Sequence, residues 1–100
     1  IANGYSEIVV VSIGATGAML ISKDAVYRAI PPVITPKTTV GAGDSLVAGL
    51  VMSMNEGRSL ADSLRFGVSC GTAACLHPGT ALFTRADADK IYLMTRVFNS

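Results

Sequence analysis

The chain has 100 residues, of which half are hydrophobic and 15% are charged, and its net charge at pH 7 is +1. This length allows one compact unit, and the near-neutral balance gives no electrostatic basis for a nucleic-acid or anionic-membrane partner. The apolar run Leu46–Met54 is interrupted by Ser53 and is far shorter than the ~20 residues of a membrane span. The start at Ile1 and the low charge, against about 25% in an ordinary domain, indicate a piece of a longer protein.

The first part of the chain is predicted to form strands. Ile8–Ile13 is apolar on both faces, which predicts a buried strand, parallel to its neighbours, that ends at Gly14. Ala18–Ser22 and Ala25–Ala29 are predicted as two short strands joined by a polar turn. An extended connection follows because prolines fit neither a helix interior nor a ladder. It contains Pro31, Pro32 and Pro36.

After Gly43 the apolar spacing changes from a period of 2 to a period of 3.6, which predicts a helix. Gly57 is well placed to end it. Its broad apolar face consists of Leu46, Val47, Leu50, Val51 and Met54.

Two more helices are predicted, one starting at Ser59 and one at Thr84, because each residue is followed three positions later by Asp. The second helix has the apolar residues Leu60, Leu64 and Val68. It also has the small residues Ala61, Gly67, Gly71 and Ala74, and small residues usually indicate close approach of another backbone. The third has the stripe Ile91, Met94 and Phe98. Strands followed by three helices suit the closing portion of an α/β domain.

The cysteines, Cys70 and Cys75, lie five residues apart on the second predicted helix and therefore point in different directions. Their spacing matches neither Cys-x-x-Cys nor a zinc site. We expect reduced thiols that pack as small hydrophobic groups, which is compatible with a cytoplasmic protein.

The segment Gly41–Asp44 joins a glycine turn to a predicted helix start. Glycines let a backbone approach a ligand closely, and the first N–H groups of a helix attract anions, phosphate above all. A carboxylate in the first turn, such as Asp44, is stabilised in its charged form and can accept a proton from a hydroxyl. Spacing alone is equally compatible with a simple helix cap at Asp44 and Ser45.

Other phosphate motifs fit the chain less well. There is no Gly-x-x-x-x-Gly-Lys-Ser/Thr loop, and Leu46 occupies the last position of a Gly-x-Gly-x-x-Gly pattern.

The segment Thr39–Ser45 resembles the second signature of the ribokinase-like, or PfkB, carbohydrate kinases. The similarity extends over the whole chain: Ser12–Ala18 resembles the family's strand and glycine turn, Pro31–Val33 its proline stretch, and Arg65–Val68 through His77–Thr80 its small-residue helix and loop. The resemblance implies a three-layer α/β/α fold, of which residues 1–100 would be a single partial domain, the C-terminal part. Most sugar contacts and the β lid would lie outside the chain.

The resemblance also implies roles for individual residues. Asp44 would be the catalytic base, and the amides of Gly41, Ala42 and Gly43 would form an anion hole. The nucleotide would lie against Ser12, Gly14, Thr16, Gly17, Val68 and Thr72. A plain strand-to-turn junction remains open for the first four of these, as does core packing for Val68.

The same resemblance implies the cofactors. They are ATP, Mg²⁺ bound with it, and a monovalent cation, usually K⁺. The residues that would bind Mg²⁺ would lie upstream of this chain. The cation ligands, mostly main-chain carbonyls, would come from Thr38, Val40, Ala74, His77, Gly79 and Ala81. Close relatives carry a polar or basic residue at the position of Ala81, although a main-chain ligand does not depend on it.

The chain is most similar to the 6-phosphofructokinase and tagatose-6-phosphate kinase members of the family. That similarity implies phosphoryl transfer to a sugar phosphate in carbohydrate metabolism, by a cytoplasmic homodimer with no nucleic-acid or membrane partner. Two alternatives stay open: a kinase for ribose, fructose 1-phosphate or a nucleoside, and a fragment that binds nucleotide, or only contributes structure, without catalysis.

Overall fold

The computed structural model describes residues 8–12, 17–37, 41–76 and 83–99. Within these ranges the chain is α/β, with a four-stranded sheet and three helices. In chain order the elements are β1 (Val9–Ser12), β2 (Ala18–Ile21), β3 (Val26–Ile30), α1 (Ala42–Asn55), α2 (Leu60–Ala74), α3 (Arg85–Met94) and β4 (Arg96–Asn99). In the described part of the chain, no helix is long and apolar enough to cross a membrane.

The described sheet has the strand order β1-β2-β3-β4, and each neighbouring pair is antiparallel. The two short strands predicted on either side of a polar turn are confirmed as β2 and β3. Ser22 closes the turn: its N–H donates to the carbonyl oxygen of Ala25 at 2.9 Å, and its hydroxyl accepts from the Ala25 N–H at 3.2 Å.

The prediction of a buried, parallel first strand is not met by the described residues. β1 pairs antiparallel with β2, and Val9 and Val11 are 54% and 45% exposed. An apolar run indicates that both faces of a strand can be buried, but it does not indicate whether the neighbouring strand runs parallel or antiparallel to it. Val10 alternates with these residues and packs against the core.

The chain contains a strand, β4, that was predicted as the end of the third helix. Phe98 lies opposite Arg28 of β3 in this strand, instead of on a helical stripe. α3 ends at Met94 because Thr95 is extended, with φ −88° and ψ 132°. The Thr95 hydroxyl donates to the carbonyl oxygen of Ile91 at 2.8 Å. The strand uses the edge of β3, a long-range partner that periodicity does not detect.

The predicted starts of the second and third helices and the predicted end of the first agree closely with the structure. The Ser59 hydroxyl accepts from the N–H of Asp62 at 3.1 Å, and the Thr84 hydroxyl accepts from that of Asp87 at 3.2 Å. Both are side-chain caps of the predicted kind. Gly57 follows the end of α1 with φ +81°, a conformation that favours glycine.

The main core lies between the sheet and the helices α1 and α2. It consists of Ala18, Leu20, Ala29, Leu46, Leu50, Leu64 and Val68. Only part of the predicted apolar face of α1 belongs to it, because Val47 and Val51 are 56% and 49% exposed. α2 therefore covers one side of α1, and the other apolar side of α1 is left open within the described residues.

A second core lies between α2 and α3. It contains Phe66, Cys70, Ala73, Ala88 and Ile91. The prediction of a buried, free thiol is confirmed for Cys70, and burial raises its pKa to about 12, so it packs as a neutral group.

Candidate active site

The N-terminus of α1 differs from those of α2 and α3. Gly41 precedes α1 in the left-handed conformation, with φ 83° and ψ −2°, and it has no side chain to cap the helix. The first helical hydrogen bond joins the N–H of Ser45 to the carbonyl oxygen of Gly41 at 2.9 Å. The N–H groups of Ala42, Gly43 and Asp44 therefore precede the hydrogen-bonded turns and face the helix end.

Each helix carries an aspartate at its third residue: Asp44 in α1, Asp62 in α2 and Asp87 in α3. The main-chain N–H groups of the latter two bind the capping hydroxyls of Ser59 and Thr84. Asp44 follows a glycine turn without a capping side chain, and it is exposed to solvent. A first-turn aspartate is thus common to all three helices, and only its setting separates Asp44 from the others.

A cleft of ≈ 390 Å³ opens beside this helix start. Its size is within the range of small-molecule sites. Three parts of the chain line it: the β1–β2 region, the proline-containing connection after β3, and the facing surfaces of α1 and α2. The lining residues are Ser12, Gly17, Pro31, Pro32, Val33, Ile34, Pro36, Ala42, Gly43, Leu46, Val68, Gly71, Thr72 and Cys75.

Gly17 forms one wall of the cleft and has two reasons to be glycine. Its φ is +109°, and a Cβ built on it would lie 1.9 Å from the carbonyl oxygen of Ala29 on the neighbouring strand. The same Cβ would lie 3.2 Å from the Cδ of Pro31. The backbone at the start of β2 therefore approaches β3 and the connection more closely than any side chain permits.

Another part of the lining is formed by α2 and the connection after β3. The N–H of Lys37 donates to the carbonyl oxygen of Cys75 at 2.8 Å, which ties the end of the connection to the end of α2. Ile34 packs into the second core, whereas Val33 is fully exposed at the cleft. An exposed valine beside an apolar cleft is a surface that a flat apolar ligand group can cover.

The cleft carries little charge of its own. Among the described residues that line it, none is Asp, Glu, Lys, Arg or His. Burial raises the pKa of the Cys75 thiol, which therefore stays neutral at pH 7. The local electrostatic asymmetry comes from the α1 N-terminus, whose free N–H groups and dipole favour an anion at that end.

The structure brings together six of the residues predicted to bind the nucleotide or the transferred group. Ser12, Gly17, Ala42, Gly43, Val68 and Thr72 all line the cleft. Gly41 and Asp44 flank Ala42 and Gly43 in sequence. Ala74, a predicted cation ligand, is buried in the last turn of α2.

The other predicted site residues lie outside the described residues. They are Gly14, Thr16, Thr38, Val40, His77, Gly79 and Ala81. Within the described ranges, no group of three or more His, Cys, Asp or Glu side chains could hold a metal ion.

Sequence reasoning assigned the proline-containing connection only a linking role, and its part in the cleft was missed. It contributes Pro31, Pro32, Val33, Ile34 and Pro36. The sequence signal for this role was that the connection is apolar although its prolines exclude it from a helix or a strand. Gly71 and Cys75 were noted only as packing residues, yet both line the cleft.

Comparisons with known proteins agree with this geometry. Residues 1–87 match the family model described as pfkB family carbohydrate kinase. The chain is 40% identical over 90 residues to ATP-dependent 6-phosphofructokinase isozyme 2 of Escherichia coli K12. It is 39% identical over 90 residues to 1-phosphofructokinase of Borreliella burgdorferi. These alignments cover 90% and 89% of the chain and 29% of each relative.

The fold has a close counterpart among solved structures. The phosphofructokinase-2 of Escherichia coli in complex with potassium superposes with a TM-score of 0.84 at 40% identity, covering 87% of this chain and 28% of that one. The cleft, the glycine-started helix and the family match together show that the chain belongs to the pfkB family of carbohydrate kinases. It spans less than a third of the length of the relatives that it matches.

Proposed function

We propose that this chain is the nucleotide-binding and catalytic part of an ATP-dependent kinase that phosphorylates a hydroxyl group of a sugar phosphate. The observation that carries the proposal is the composition of the cleft. Residues predicted for the nucleotide, such as Thr72 and Gly17, and residues predicted for the transferred phosphoryl group, Ala42 and Gly43, line the same space. A simple helix cap at Asp44 would not require that convergence.

The chain's own residues divide the work of phosphoryl transfer. The apolar middle of the cleft, around Val68 and the prolines, accepts a flat uncharged ring. The amides of Gly41, Ala42 and Gly43 stabilise negative charge that develops on the transferred group. Asp44, next along the helix, accepts the proton of the attacking hydroxyl. Positioning and charge stabilisation are most of what this reaction needs.

The volume and apolar lining of the cleft, together with the anion-attracting helix end at Gly43, support ATP as the ligand. ATP supplies the phosphoryl group, and magnesium bound with it would neutralise phosphate charge. Of the main-chain ligands predicted for a potassium ion, Ala74 is within the described residues, at the end of α2. The similar Escherichia coli structure is a complex with potassium. Magnesium and potassium both remain part of the proposal.

We propose fructose 6-phosphate or tagatose 6-phosphate as the acceptor, in line with the 6-phosphofructokinase relative. Fructose 1-phosphate is the second candidate, because a similarly close relative is a 1-phosphofructokinase. The sugar contacts are proposed to lie in parts of the parent protein beyond these 100 residues, so we expect the isolated chain to be inactive. We also propose that the parent kinase is a homodimer.

The test is the substitution Asp44→Asn in the full-length protein that carries this chain. Turnover with ATP and each of the three sugar phosphates is expected to fall by ~10²–10⁴, the usual contribution of a well-placed base. Binding of ATP, measured by calorimetry, is expected to persist because Asp44 does not line the cleft.

Asp87→Asn is the matched control. Asp87 occupies the same third position of its helix as Asp44, so both substitutions remove a charge from a helix first turn. Asp87→Asn should retain near-normal turnover. Near-normal turnover of Asp44→Asn would exclude Asp44 as the base, and equal losses in both variants would assign it a helix-stabilising role.

A further inference from the structure

Gly71 of α2 lies where that helix packs against the start of α1. A Cβ built on Gly71 would lie 3.0 Å from the carbonyl oxygen of Ala42 and 3.4 Å from the Cβ of Leu46. Both distances are at or below the lower limit of ordinary carbon contacts. The glycine therefore allows α2 to support the first turn of α1 directly with its backbone.

The carbonyl that Gly71 contacts belongs to the same planar peptide unit as the N–H of Gly43. In a trans peptide the C=O and N–H bonds point in opposite directions and move as one rigid group. A displacement of the Ala42 oxygen by a few tenths of an ångström thus tilts the Gly43 N–H at the other end. Gly43 lines the cleft and precedes the first helical hydrogen bond.

We propose that Gly71 is a positioning residue, which holds the Ala42–Gly43 peptide so that the Gly43 N–H is aimed at the transferred phosphoryl group. This inference rests on the proposed kinase function and adds a residue on α2 to its machinery. Because aligned amide donors act mainly on charge that develops in the transition state, a misaligned peptide lowers turnover more than it weakens nucleotide binding.

The chain provides a matched control one helical turn away. A Cβ built on Gly67 would lie 2.9 Å from the carbonyl oxygen of Leu46, a contact as tight as that of Gly71. The peptide affected there carries the N–H of Val47, which lies inside the hydrogen-bonded part of α1. Gly67 is buried in the same helix interface but does not line the cleft.

The test compares Gly71→Ala with Gly67→Ala in the full-length protein. For Gly71→Ala we expect kcat to fall about tenfold, less than the ~10²–10³ for complete removal of such a donor, while KM for ATP changes less than about threefold. Gly67→Ala should retain kcat with a similar fall in thermal stability. As a second readout, Gly71→Ala should bind ADP with aluminium fluoride, a mimic of the transferred group, about tenfold more weakly while its affinity for ADP alone is kept.

Three results would overturn the inference. Equal losses of kcat in both variants would assign Gly71 to helix packing alone, and a rise in KM without a fall in kcat would make it a wall of the nucleotide cleft. Failure of Gly71→Ala to fold while Gly67→Ala folds would place it in the core, since the Gly67 contact is the tighter one. An inactive wild-type protein would instead refute the kinase proposal itself.

Discussion

Two faces of α2 are packed by different means. On its glycine face, toward α1, Gly67 and Gly71 bring its backbone against carbonyl groups of α1. On its aromatic face, toward α3, side chains make the contacts: the ring of Phe66 meets those of Phe83 and Tyr92 edge-on, with centroids 6.5 and 6.2 Å apart. Backbone contact fixes the position of a neighbouring peptide, whereas side-chain contact mainly provides buried surface.

Arginines add contacts to this aromatic face. The guanidinium groups of Arg58 and Arg85 lie 5.6 and 5.0 Å from the ring centroid of Phe66, and that of Arg65 lies 4.1 Å from the centroid of Tyr92. Such cation–π contacts contribute about 0.5–1 kcal/mol each at exposed sites. The comparison therefore predicts that substitutions on the aromatic face change stability, and that a substitution at Gly71 on the glycine face changes catalysis as well.

The largest expected effect is that of Phe66→Ala. Phe66 is 3% exposed and lies at the centre of the aromatic contacts, so its truncation should lower the free energy of unfolding by about 3–5 kcal/mol. The folded fraction should keep its nucleotide affinity, measured by calorimetry. Phe98→Ala is the control, because Phe98 is 44% exposed and its loss should destabilise less. Weaker nucleotide binding by folded Phe66→Ala protein would contradict the division between the two faces of α2.

The next prediction concerns Gly43→Ala, for which we expect a smaller change in stability than for Phe66→Ala and a loss of activity. A Cβ on Gly43 meets nothing within 4 Å among the described residues, and its φ is not positive, so Gly43→Ala should be neutral or stabilise α1 by up to ~1 kcal/mol. The added methyl group would stand in the cleft, where we expect it to lower kcat/KM at least about tenfold by keeping the phosphoryl group from the backbone.

Gly57→Ala is expected to do the opposite of Gly43→Ala, because it should lower stability and leave activity unchanged. Gly57 also has open space around it, but its φ is +81°, so alanine there should destabilise the protein by about 1–2 kcal/mol while kcat/KM is retained. Thermal unfolding and steady-state kinetics on both variants check the pair. Full activity of Gly43→Ala would show that close backbone approach at this position is not needed.

Much of the local structure could be predicted from the sequence, because its determinants are themselves local. Ser59 and Thr84 predict helix starts because their hydroxyls cap main-chain N–H groups nearby in sequence, and Gly57 predicts a helix end. The antiparallel pairing of β1 and the strand that contains Phe98 depend on partners distant in the chain. No periodicity within one segment encodes those partners.

The candidate site shows the same division. The segment Gly41–Asp44 was identified from its own residues, as an anion-binding helix start with a candidate base. The cleft beside it could not be predicted that way, because Gly17, Pro31 and Thr72 approach one another only in the folded chain. The role proposed for Gly71 likewise depends on its distance from Ala42, which cannot be read from the sequence.

The smallest expected effect concerns Tyr92 of α3, which contacts the aromatic face of α2. Its hydroxyl donates a hydrogen bond to the carboxylate of Asp62. Tyr92→Phe removes that bond, and we expect the free energy of unfolding at pH 7 to fall by about 1 kcal/mol with kcat/KM unchanged. The variant keeps the ring, so the edge contact with Phe66 and the stacking of Arg65 remain.

The pH dependence of this difference has a definite sign. Burial raises the pKa of the Tyr92 phenol above its ordinary value of 10.0, and the hydrogen bond to Asp62 and the charge of that carboxylate raise it further. Because the folded protein holds the proton more tightly than the unfolded chain, the stabilisation is complete below pH 10 and is lost as the pH rises through the folded pKa. Urea unfolding of wild type and Tyr92→Phe from about pH 8 to about pH 11 should show the difference shrinking at the alkaline end. A constant difference across that range would mean that the phenol contributes through packing and not through its proton.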